Sequence, residues 1–533
     1  MVVSTTHEVT MEQALGRVRD PFVVFERAGG FELHEIDADS GELTTSLPAG
    51  ARRAGYLPSC RLEWLGDPLF CADHGLRYPY VSGAMANGIG SVEIAEALGY
   101  AGMLGIFGAA GLSISGVEAA IDRLSRTLGS ASVPYGFNLI HSPGEPELEA
   151  ATADLYLRRG VRLVEASAYL DLTLPVVRYR VTGIHLDHAG NVVVPNKVMA
   201  KVSRVEVATK FLSPPPAKAL RELVAGGDIS AEQAHWAERI PMADDLTAEA
   251  DSGGHTDNQP AVVLVPTMIA LRDRLAAQYG YDRAPRVGAA GGISTPWAAS
   301  AMFAMGAAYV VVGSVNQSCV ESGSSDAVRK MLAEARQADI AMAPAADMFE
   351  MGVRVQVLKR GTMFAMRAAK LFELYRAHDS LTAIPASDRL ALEKNVFRAS
   401  LETIWNETRG YFLERDPNQV ERAERDAKHK LALVFRWYLG KASHWANSGD
   451  PARMVDYQVW CGPAMAAFNE WVKGTFLDPP GNRRVVTVAM NLLYGAAVLS
   501  RARSLAGQGV VLPAGMIKLS PLELSEIEER AGH

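Results

Sequence analysis

Short β-branched segments alternate with longer segments of helical periodicity between residues 78 and 315. This alternation is typical of parallel βα units rather than of hairpins. Eight strands are predicted, at residues 80–85, 101–107, 135–140, 161–167, 198–203, 246–251, 286–292 and 308–314. They predict an α/β fold, a (β/α)8 TIM barrel, in which functional groups gather at the C-terminal ends of the strands. An open, doubly wound parallel sheet is the alternative.

Two segments interrupt this regular spacing. Residues near 178–196 have alternating apolar positions around an Asp-His-Ala-Gly-Asn turn, which predicts an inserted β-hairpin. Residues near 209–244 contain a proline run followed by helical periodicity, and Ser230 with Gln233 three residues later predicts a capping box. We expect both segments to be insertions in a barrel domain of residues 76–340.

The chain has a different character on either side of the barrel. Residues 1–75 contain two alternating runs about a Gly-Gly turn and predict a small β-containing extension. Residues 341–515 have helical periodicity and contain five of the eight tryptophans, which predicts a C-terminal helical domain, followed by a tail at 516–533. The apolar run from Val485 is shorter than the roughly 20 residues that a membrane span needs, so it indicates a buried helix.

Composition limits the classes of partner. With 533 residues, 48% of them hydrophobic, the chain can bury large cores and form more than one domain. A net charge of −7 and scattered basic pairs argue against nucleic acid. The four cysteines form no Cys-x-x-Cys unit, and the first twenty residues lack the hydrophobic centre of a signal peptide. We therefore expect a cytoplasmic protein with reduced thiols and no membrane association.

Glycines and a serine stand where the seventh and eighth predicted strands end, in GAAGGIS (288–294) and VVGSVN (311–316). Two adjacent loops of this kind can direct backbone N–H groups at a phosphate. Gly291 and Gly292 allow close approach of the backbone, and Ser314 adds a hydroxyl donor. The alternative is that the glycines only turn each strand into its loop. The same chemistry at two neighbouring strand ends favours the phosphate interpretation.

Three other predicted strands end in candidate ligand contacts. The first strand leads into Gly83, Ala84 and Met85, which expose backbone as a flat aromatic ring would require. Asn138 closes the third strand. Lys201 lies in the fifth, where a buried ammonium can stabilise negative charge. A turn with a helix cap, or polar side chains satisfied by neighbouring backbone, would explain these residues equally well.

The sixth predicted strand leads into the acidic loop SGGHTDNQP. His255 is expected to project toward the barrel mouth, and its ordinary pKa of about 6.5 lets it donate a proton near neutral pH. A metal site would combine His255 and Asp257 with Asp251 or Glu249. No second histidine is nearby, so we predict no metal.

Several segments together resemble one family. These are GAMANGIGSVEIAEALGYAGMLGIFG, YGFNLIHSP, VMAKVSRVEVA, ADDLTAEADSGGHTDNQP, and GAAGGIS with VVGSVN. They resemble the PfaD-type enoyl reductases of polyunsaturated fatty acid synthases and trans-acyltransferase polyketide synthases, which belong with nitronate monooxygenases among the flavin barrels. The similarity continues into FRWYLG and DYQVWCGPAMAAFNEWVKG, so it covers about residues 55–510. These late segments separate the family from the shorter nitronate monooxygenases.

The resemblance implies FMN as the cofactor, reduced by NADPH or, alternatively, NADH. It implies His255 as the catalytic residue, which hydrogen-bonds the substrate carbonyl or protonates the α carbon. The implied cofactor-binding residues are Gly83, Ala84, Met85, Asn138, Lys201, Gly254, Gly291, Gly292, Gly313 and Ser314. The implied reaction is reduction of the α,β double bond of an enoyl thioester on an acyl carrier protein.

The same resemblance implies that the partners are the carrier protein and other components of a polyketide or fatty acid synthase. We expect the helical domain to cover the barrel mouth and dock the carrier, with Arg360, Arg367 and Lys370 as basic candidates. Exposed helical faces are compatible with a homodimer. Two rival functions remain: a nitronate monooxygenase-like flavin oxidase, and a flavin-free scaffold subunit of a multienzyme complex.

Overall fold

The computed structural model describes residues 9–27, 30–37, 52–254, 256–513 and 515–532. Its first elements are α1 (Met11–Gly16) and an antiparallel sheet of β1 (Phe22–Arg27), β2 (Gly30–Glu35) and β3 (Arg52–Leu57), in the order β2-β1-β3. The predicted β-containing extension is confirmed, although β3 was not foreseen. Gly29, half of the predicted Gly-Gly turn, lies outside the described residues.

Eight parallel strands close into a barrel. In chain order the strands of this part are β4 (Tyr80–Ser82), β5 (Leu104–Phe107), β6 (Gly136–Ile140), β7 (Leu163–Ser167), the inserted pair β8 (His185–Leu186) and β9 (Val192–Val193), β10 (Lys197–Val202), β11 (Asp245–Glu249), β12 (Arg286–Ala290) and β13 (Val310–Val312). The last strand pairs with the first, with Val311 opposite Val81. The predicted TIM barrel is confirmed, and the open sheet is excluded.

Helices surround the barrel, one before its first strand and the others after successive strands. They are α2 (Pro68–His74), α3 (Val92–Tyr100), α4 (Ile114–Thr127), α5 (Pro146–Arg159), α6 (Leu174–Val181), α7 (Val205–Leu212), α8 (Ala217–Gly226), α9 (Ala231–Ala237), α10 (Ala261–Tyr279), α11 (Pro296–Ala304), α12 (Ser314–Gln317) and α13 (Asp326–Ala333). Four-residue α12 directly follows the eighth strand, at the loop where the sequence predicts a phosphate cradle.

The two-residue period of the strands decides which side chains enter the barrel. Apolar residues at alternate positions pack together inside it, among them Val81, Leu104, Leu163, Met199 and Val311. Two residues further along their strands, Glu165 and Lys201 occupy the next inward positions. The barrel is therefore apolar at mid-height and charged just below its C-terminal mouth.

Both predicted insertions are present, with one correction. Residues 178–181 belong to α6, so the hairpin is confined to β8 and β9, with His185 opposite Val193. The helix extends this far because Arg180 is buried and forms a bidentate ion pair with Asp244. The second insertion contains α8 and α9, and the predicted capping box at Ser230 is confirmed.

The region after the barrel starts with a hairpin and continues with helices. Its elements are β14 (Ile340–Pro344), β15 (Arg354–Leu358), α14 (Phe364–Ala377), α15 (Ala386–Leu392), α16 (Leu401–Arg415), α17 (Pro417–Arg425), α18 (Ala427–Ser448), α19 (Ala464–Val472), α20 (Val485–Gly507) and α21 (Leu524–Arg530). The C-terminal helical domain is confirmed, but its prediction as helices alone is wrong for the hairpin. Alternation in RVQVL is a strand signal, and Val357 also bridges to Trp460.

The buried residues of this later region belong to several hydrophobic cores. Val357, Phe364 and Tyr438 belong to a core of their own, whereas Phe468 and Leu493 belong to the core that surrounds the barrel. Helix α20 is long and apolar enough to cross a membrane, but 89% of its most apolar stretch is buried inside the protein. It packs against α11, as the sequence indicates for a buried helix. The domain boundaries themselves stay a prediction.

Candidate functional site

A cavity of about 910 Å³ lies at the C-terminal ends of the barrel strands. This volume is near the upper end of the roughly 300–1,000 Å³ of small-molecule sites. All ten residues predicted to bind a cofactor line it: Gly83, Ala84, Met85, Asn138, Lys201, Gly254, Gly291, Gly292, Gly313 and Ser314. The predicted catalytic residue, His255, lies outside the described residues, so its role stays a prediction.

The glycines at the ends of β12 and β13 differ in what a side chain would meet. Gly291 has φ +86, and a Cβ there would lie 2.7 Å from the carbonyl carbon and oxygen of Ala250. Gly292 has φ +75, and a Cβ there would meet nothing within 4 Å. The same open space lies over Gly313. Gly291 is therefore required by the fold, while Gly292 and Gly313 leave backbone bare toward the cavity.

The segment after β4 is held from below by a buried carboxylate. The N–H of Ala84 donates to Glu165 Oε2 at 3.0 Å. A Cβ on Gly83 would lie 2.7 Å from Val311 Cγ1, so only glycine fits against the eighth strand. This segment is thus a rigid backbone surface at the cavity floor.

Lys201 lies between two carboxylates in the barrel mouth. Its Nζ is 3.4 Å from Glu165 Oε2 and 3.5 Å from Glu249 Oε1. Burial opposes the charge on Lys201, but the two carboxylates outweigh burial and raise the pKa of Lys201 above its ordinary value. The two carboxylates therefore fix Lys201 in place and favour its charged form.

Asn138 is buried and fixed by two hydrogen bonds. Its Nδ2 donates to the Glu165 carbonyl and to Ser167 Oγ, both at 3.1 Å. The residue that follows Ser167, Ala168, has φ +61, a strained backbone conformation that is rare outside glycine. The hydrogen bonds of Asn138 and the strained backbone at Ala168 together fix the conformation of the chain at the end of β7.

The acidic side chains of the loop after β11 serve to hold that loop. Asp251 Oδ1 accepts hydrogen bonds from Asn258 Nδ2 at 2.7 Å and from Gln356 Nε2 at 2.5 Å. Asp257 forms a bidentate pair with Arg204 at 2.6 and 2.8 Å. These carboxylates are therefore engaged in loop structure rather than directed together at one point.

The part of the chain that the structure describes contains no group of three or more His, Cys, Asp or Glu side chains able to hold a metal ion. His255 is not among those residues, so the expectation of no metal remains a prediction. Three cysteines, Cys71, Cys319 and Cys461, are buried. Burial raises the pKa of Cys71 and of Cys461 to about 12, so neither thiol is reactive near neutral pH.

Helices α16 and α18 form the wall opposite the barrel. Their cavity-lining residues recur every three or four positions and include Thr408, Tyr411, Phe412, Arg415, Trp437, Lys441 and His444. Asn87, in the loop after β4, donates through Nδ2 to Ser443 Oγ at 2.9 Å, which ties α18 to the barrel mouth. The helical region therefore lies over the strand ends.

The three basic residues considered for carrier docking do not line this cavity. Arg367 forms an ion pair with Asp456, whose side chain is completely buried, so Arg367 supports the helical core. Arg360 and Lys370 are exposed and pair with Glu334 and Glu373. Arg367 is thus engaged in the helical core, and the carrier-docking surface stays a prediction.

Sequence reasoning predicted that the helical domain covers the barrel mouth, but it missed Glu165 and the individual residues of the helical wall. Glu165 had a usable signal, because it is the only charged residue in the strand LVEAS. The wall residues had none, since their contacts with the barrel join distant parts of the chain: Arg415 and Glu145 are 270 positions apart, and Asn87 and Ser443 are 356 apart.

Two protein-family models match the chain. A nitronate monooxygenase model matches residues 71–395, which is more than half of the chain. A model of the inserted helical domain of [acyl-carrier-protein] S-malonyltransferase matches residues 378–457, the segment that contains α16 and α18.

Two curated relatives are synthase proteins. The chain is 46% identical over 476 residues to a component of the polyunsaturated fatty acid synthase of Thraustochytrium sp., covering 88% of this chain and 32% of that protein. It is 44% identical over 441 residues to polyketide biosynthesis protein PksE of Bacillus subtilis, covering 83% of this chain and 57% of PksE. The chain therefore spans about a third of the length of the Thraustochytrium protein and somewhat more than half of the length of PksE.

A solved structure covers the same architecture. The enoyl reductase domain of MlnA, from the macrolactin biosynthesis cluster of Bacillus amyloliquefaciens, is 40% identical, with a TM-score of 0.79. The match covers 83% of this chain and 99% of that domain.

Proposed function

The chain belongs to the PfaD-type family within the nitronate monooxygenase-like barrels, and from this premise we propose that it is an FMN-dependent enoyl reductase. Its substrate is an enoyl thioester on an acyl carrier protein, and its reductant is NADPH, with NADH as the alternative. It works as a component of a polyketide or polyunsaturated fatty acid synthase in the cytoplasm. The synthase relatives and the MlnA domain support this role.

One observation carries the proposal: a single cavity is lined by bare glycine backbone on one side and by a helical wall on the other. The open space over Gly292 and Gly313, with the Ser314 hydroxyl beside it, fits a phosphate. The rigid backbone of Gly83 and Ala84 fits the face of a planar ring. When bound, FMN would supply hydride transfer between the nicotinamide and the substrate.

The residues of the chain itself would then stabilise the developing negative charge and exclude water from the site. Hydride addition at the β carbon leaves negative charge on the thioester, and fixed donors stabilise such charge best in a site closed to water. We assign this task to His255, which follows the cavity-lining Gly254, either by hydrogen-bonding the carbonyl or by protonating the α carbon. Phe412, Leu433 and Trp460 in the opposite wall would exclude water.

Carrier recognition is assigned to the helical region. The match of residues 378–457 to a helical domain of an acyl-carrier-protein transacylase family supports this assignment. Arg415, Arg436 and Lys441 line the cavity on this side and are better placed than Arg360 and Lys370 to meet an anionic arm. A homodimer stays a prediction.

The decisive experiment starts with the purified protein and its flavin content. We expect a yellow protein that NADPH reduces without oxygen, and that a carrier-bound enoyl thioester then re-oxidises. Re-oxidation by oxygen with turnover of a nitronate, but not by the enoyl thioester, would replace this proposal with the oxidase. A colourless protein that takes up no added FMN would favour the scaffold.

The role of His255 is tested with His255→Ala. We expect FMN content and reduction by NADPH to persist, while re-oxidation by the enoyl thioester slows by roughly 10²–10⁴-fold, the usual contribution of a general acid. His185→Ala, in the exposed β8–β9 hairpin, is the control. Unchanged re-oxidation in His255→Ala would refute the assignment.

A further inference from the structure

Glu165 is the most completely buried charged group at the barrel mouth, and nothing in the proposed chemistry uses it directly. Its relative exposure is 0%, and it does not itself line the cavity. A carboxylate is kept in such a place only when its partners compensate for the loss of water. The partners of Glu165 therefore indicate its purpose.

One oxygen of Glu165 serves two elements of the cavity floor. Oε2 accepts the Ala84 N–H at 3.0 Å and lies 3.4 Å from Lys201 Nζ. The main chain of Glu165 also takes part, because its carbonyl accepts from Asn138 Nδ2. Three residues that line the cavity, each from a different part of the barrel, are thus fixed by one residue behind them.

The other oxygen is an unpaired acceptor within the described part of the chain. Oε1 of Glu165 is buried and has no hydrogen-bond partner among the described residues. It would lie 3.5 Å from a Cβ at Gly83, so it points at the underside of the Gly83–Ala84 segment. A buried acceptor left unpaired is costly, which argues that the charge of Glu165 has a use other than stability.

We propose that Glu165 is a positioning residue for the cofactor: it fixes the Gly83–Ala84 backbone and the Lys201 ammonium as one surface, and its negative charge offsets that ammonium at the cavity. This inference rests on the proposed binding of FMN. The raised pKa of Lys201 agrees with it, because Glu165 is the first of the two carboxylates responsible. Reduced flavin carries more negative charge than oxidised flavin, so the balance between Glu165 and Lys201 would set how readily the ring accepts electrons.

The charge is tested with Glu165→Gln, which keeps an oxygen for the Ala84 N–H. We expect FMN to remain bound and its midpoint potential, measured by spectroelectrochemistry, to become more positive. A tenfold shift toward the reduced form would appear as about 30 mV for a two-electron couple. Adding Lys201→Met should return the potential toward the wild-type value, because the double variant restores the local net charge. An unchanged potential in Glu165→Gln, or no reversal in the double variant, would overturn the inference.

The control is Asp245→Asn, which changes a carboxylate of equal burial at the other end of the barrel. Asp245 begins β11, where its carboxylate pairs with His74 and Arg286, neither of which lines the cavity. We expect this variant to lose stability and keep its potential. A shift as large as that of Glu165→Gln would mean that buried charge in general, not Glu165, sets the potential.

The positioning of the Gly83–Ala84 backbone is tested without flavin, by measuring hydrogen exchange of the Ala84 amide. In Glu165→Ala the acceptor is gone, and we expect exchange of that amide to rise about tenfold relative to the wild type. Unchanged exchange would overturn the positioning role. A wild-type protein that binds no FMN would instead refute the proposed function, so the two failures are distinguishable.

Discussion

Replacing Gly291 and Gly292 separately by alanine should show that Gly291 is needed for the fold and Gly292 for FMN binding. The two residues are adjacent, both have positive φ, and both line the cavity. At Gly291 a methyl group costs about 1–2 kcal/mol for the left-handed conformation and about 1–3 kcal/mol more for overlap with the Ala250 carbonyl. Gly292 bears only the first of these costs, because its Cβ would meet open space.

We therefore expect Gly291→Ala to lower the free energy of unfolding by about 2–5 kcal/mol, and Gly292→Ala by about 1–2 kcal/mol. Urea unfolding of the flavin-free protein at unchanged slope measures this difference. Binding of FMN should show the reverse order once each variant is folded, since the Gly292 methyl occupies space assigned to the phosphate. Fluorescence titration measures the dissociation constants. Equal destabilisation of the two variants, or unaltered FMN affinity in Gly292→Ala, would refute the reasoning.

Three other substitutions test the cradle and the buried ion pairs. Gly313 has φ −116, so Gly313→Ala should change the free energy of unfolding by no more than about 0.5 kcal/mol. It should weaken FMN binding about tenfold in a fluorescence titration, which corresponds to about 1.4 kcal/mol. Unaltered affinity would contradict the phosphate cradle. Although burial opposes its ionisation, Asp245 has a pKa held below its ordinary value by His74 and Arg286. The stability that it adds over Asp245→Asn should be complete above the unfolded pKa of about 3.9 and shrink as pH falls through the lower folded pKa, which acid titration of unfolding would detect. Arg367→Glu should lower the free energy of unfolding, measured in urea, by about 3–5 kcal/mol, because it removes a cation from the buried Asp456. The exposed control Lys370→Glu should lower it by less than about 1 kcal/mol. Equal losses in the two variants would refute this.

The barrel was predictable because its signal is local. Each strand has a short β-branched run, and the glycines at 291, 292 and 313 follow two of those runs directly. Once the strands are ordered in a barrel, their C-terminal ends must meet, so residues as distant as Gly83 and Ser314 could be assigned to one cavity from sequence alone.

What could not be predicted depends on pairing between distant segments. No local pattern says that Ser443 lies beside Asn87, or that the strand RVQVL faces Trp460. Glu165 is an intermediate case: a lone charge in an apolar strand signals a buried partner, but only the register of β7 against β10 shows that the partner is Lys201. The surroundings of Arg367 could not be predicted, because an arginine on an amphipathic helix can face either solvent or a buried carboxylate.

Helix α20 makes the barrel depend on chain that is synthesised much later. Gly495 brings this helix against Pro296 of α11, where a Cβ would lie 2.6 Å from the proline ring. The last barrel strand ends at Val312, and α20 begins at Val485, roughly 170 residues further on. At about 5–20 residues per second, a ribosome needs about 9 to 34 s to cover that distance. During this interval the nascent barrel exposes the apolar surface of α11, so chaperones should bind the nascent barrel there. For the same reason, a barrel domain expressed on its own must retain α20 to be soluble.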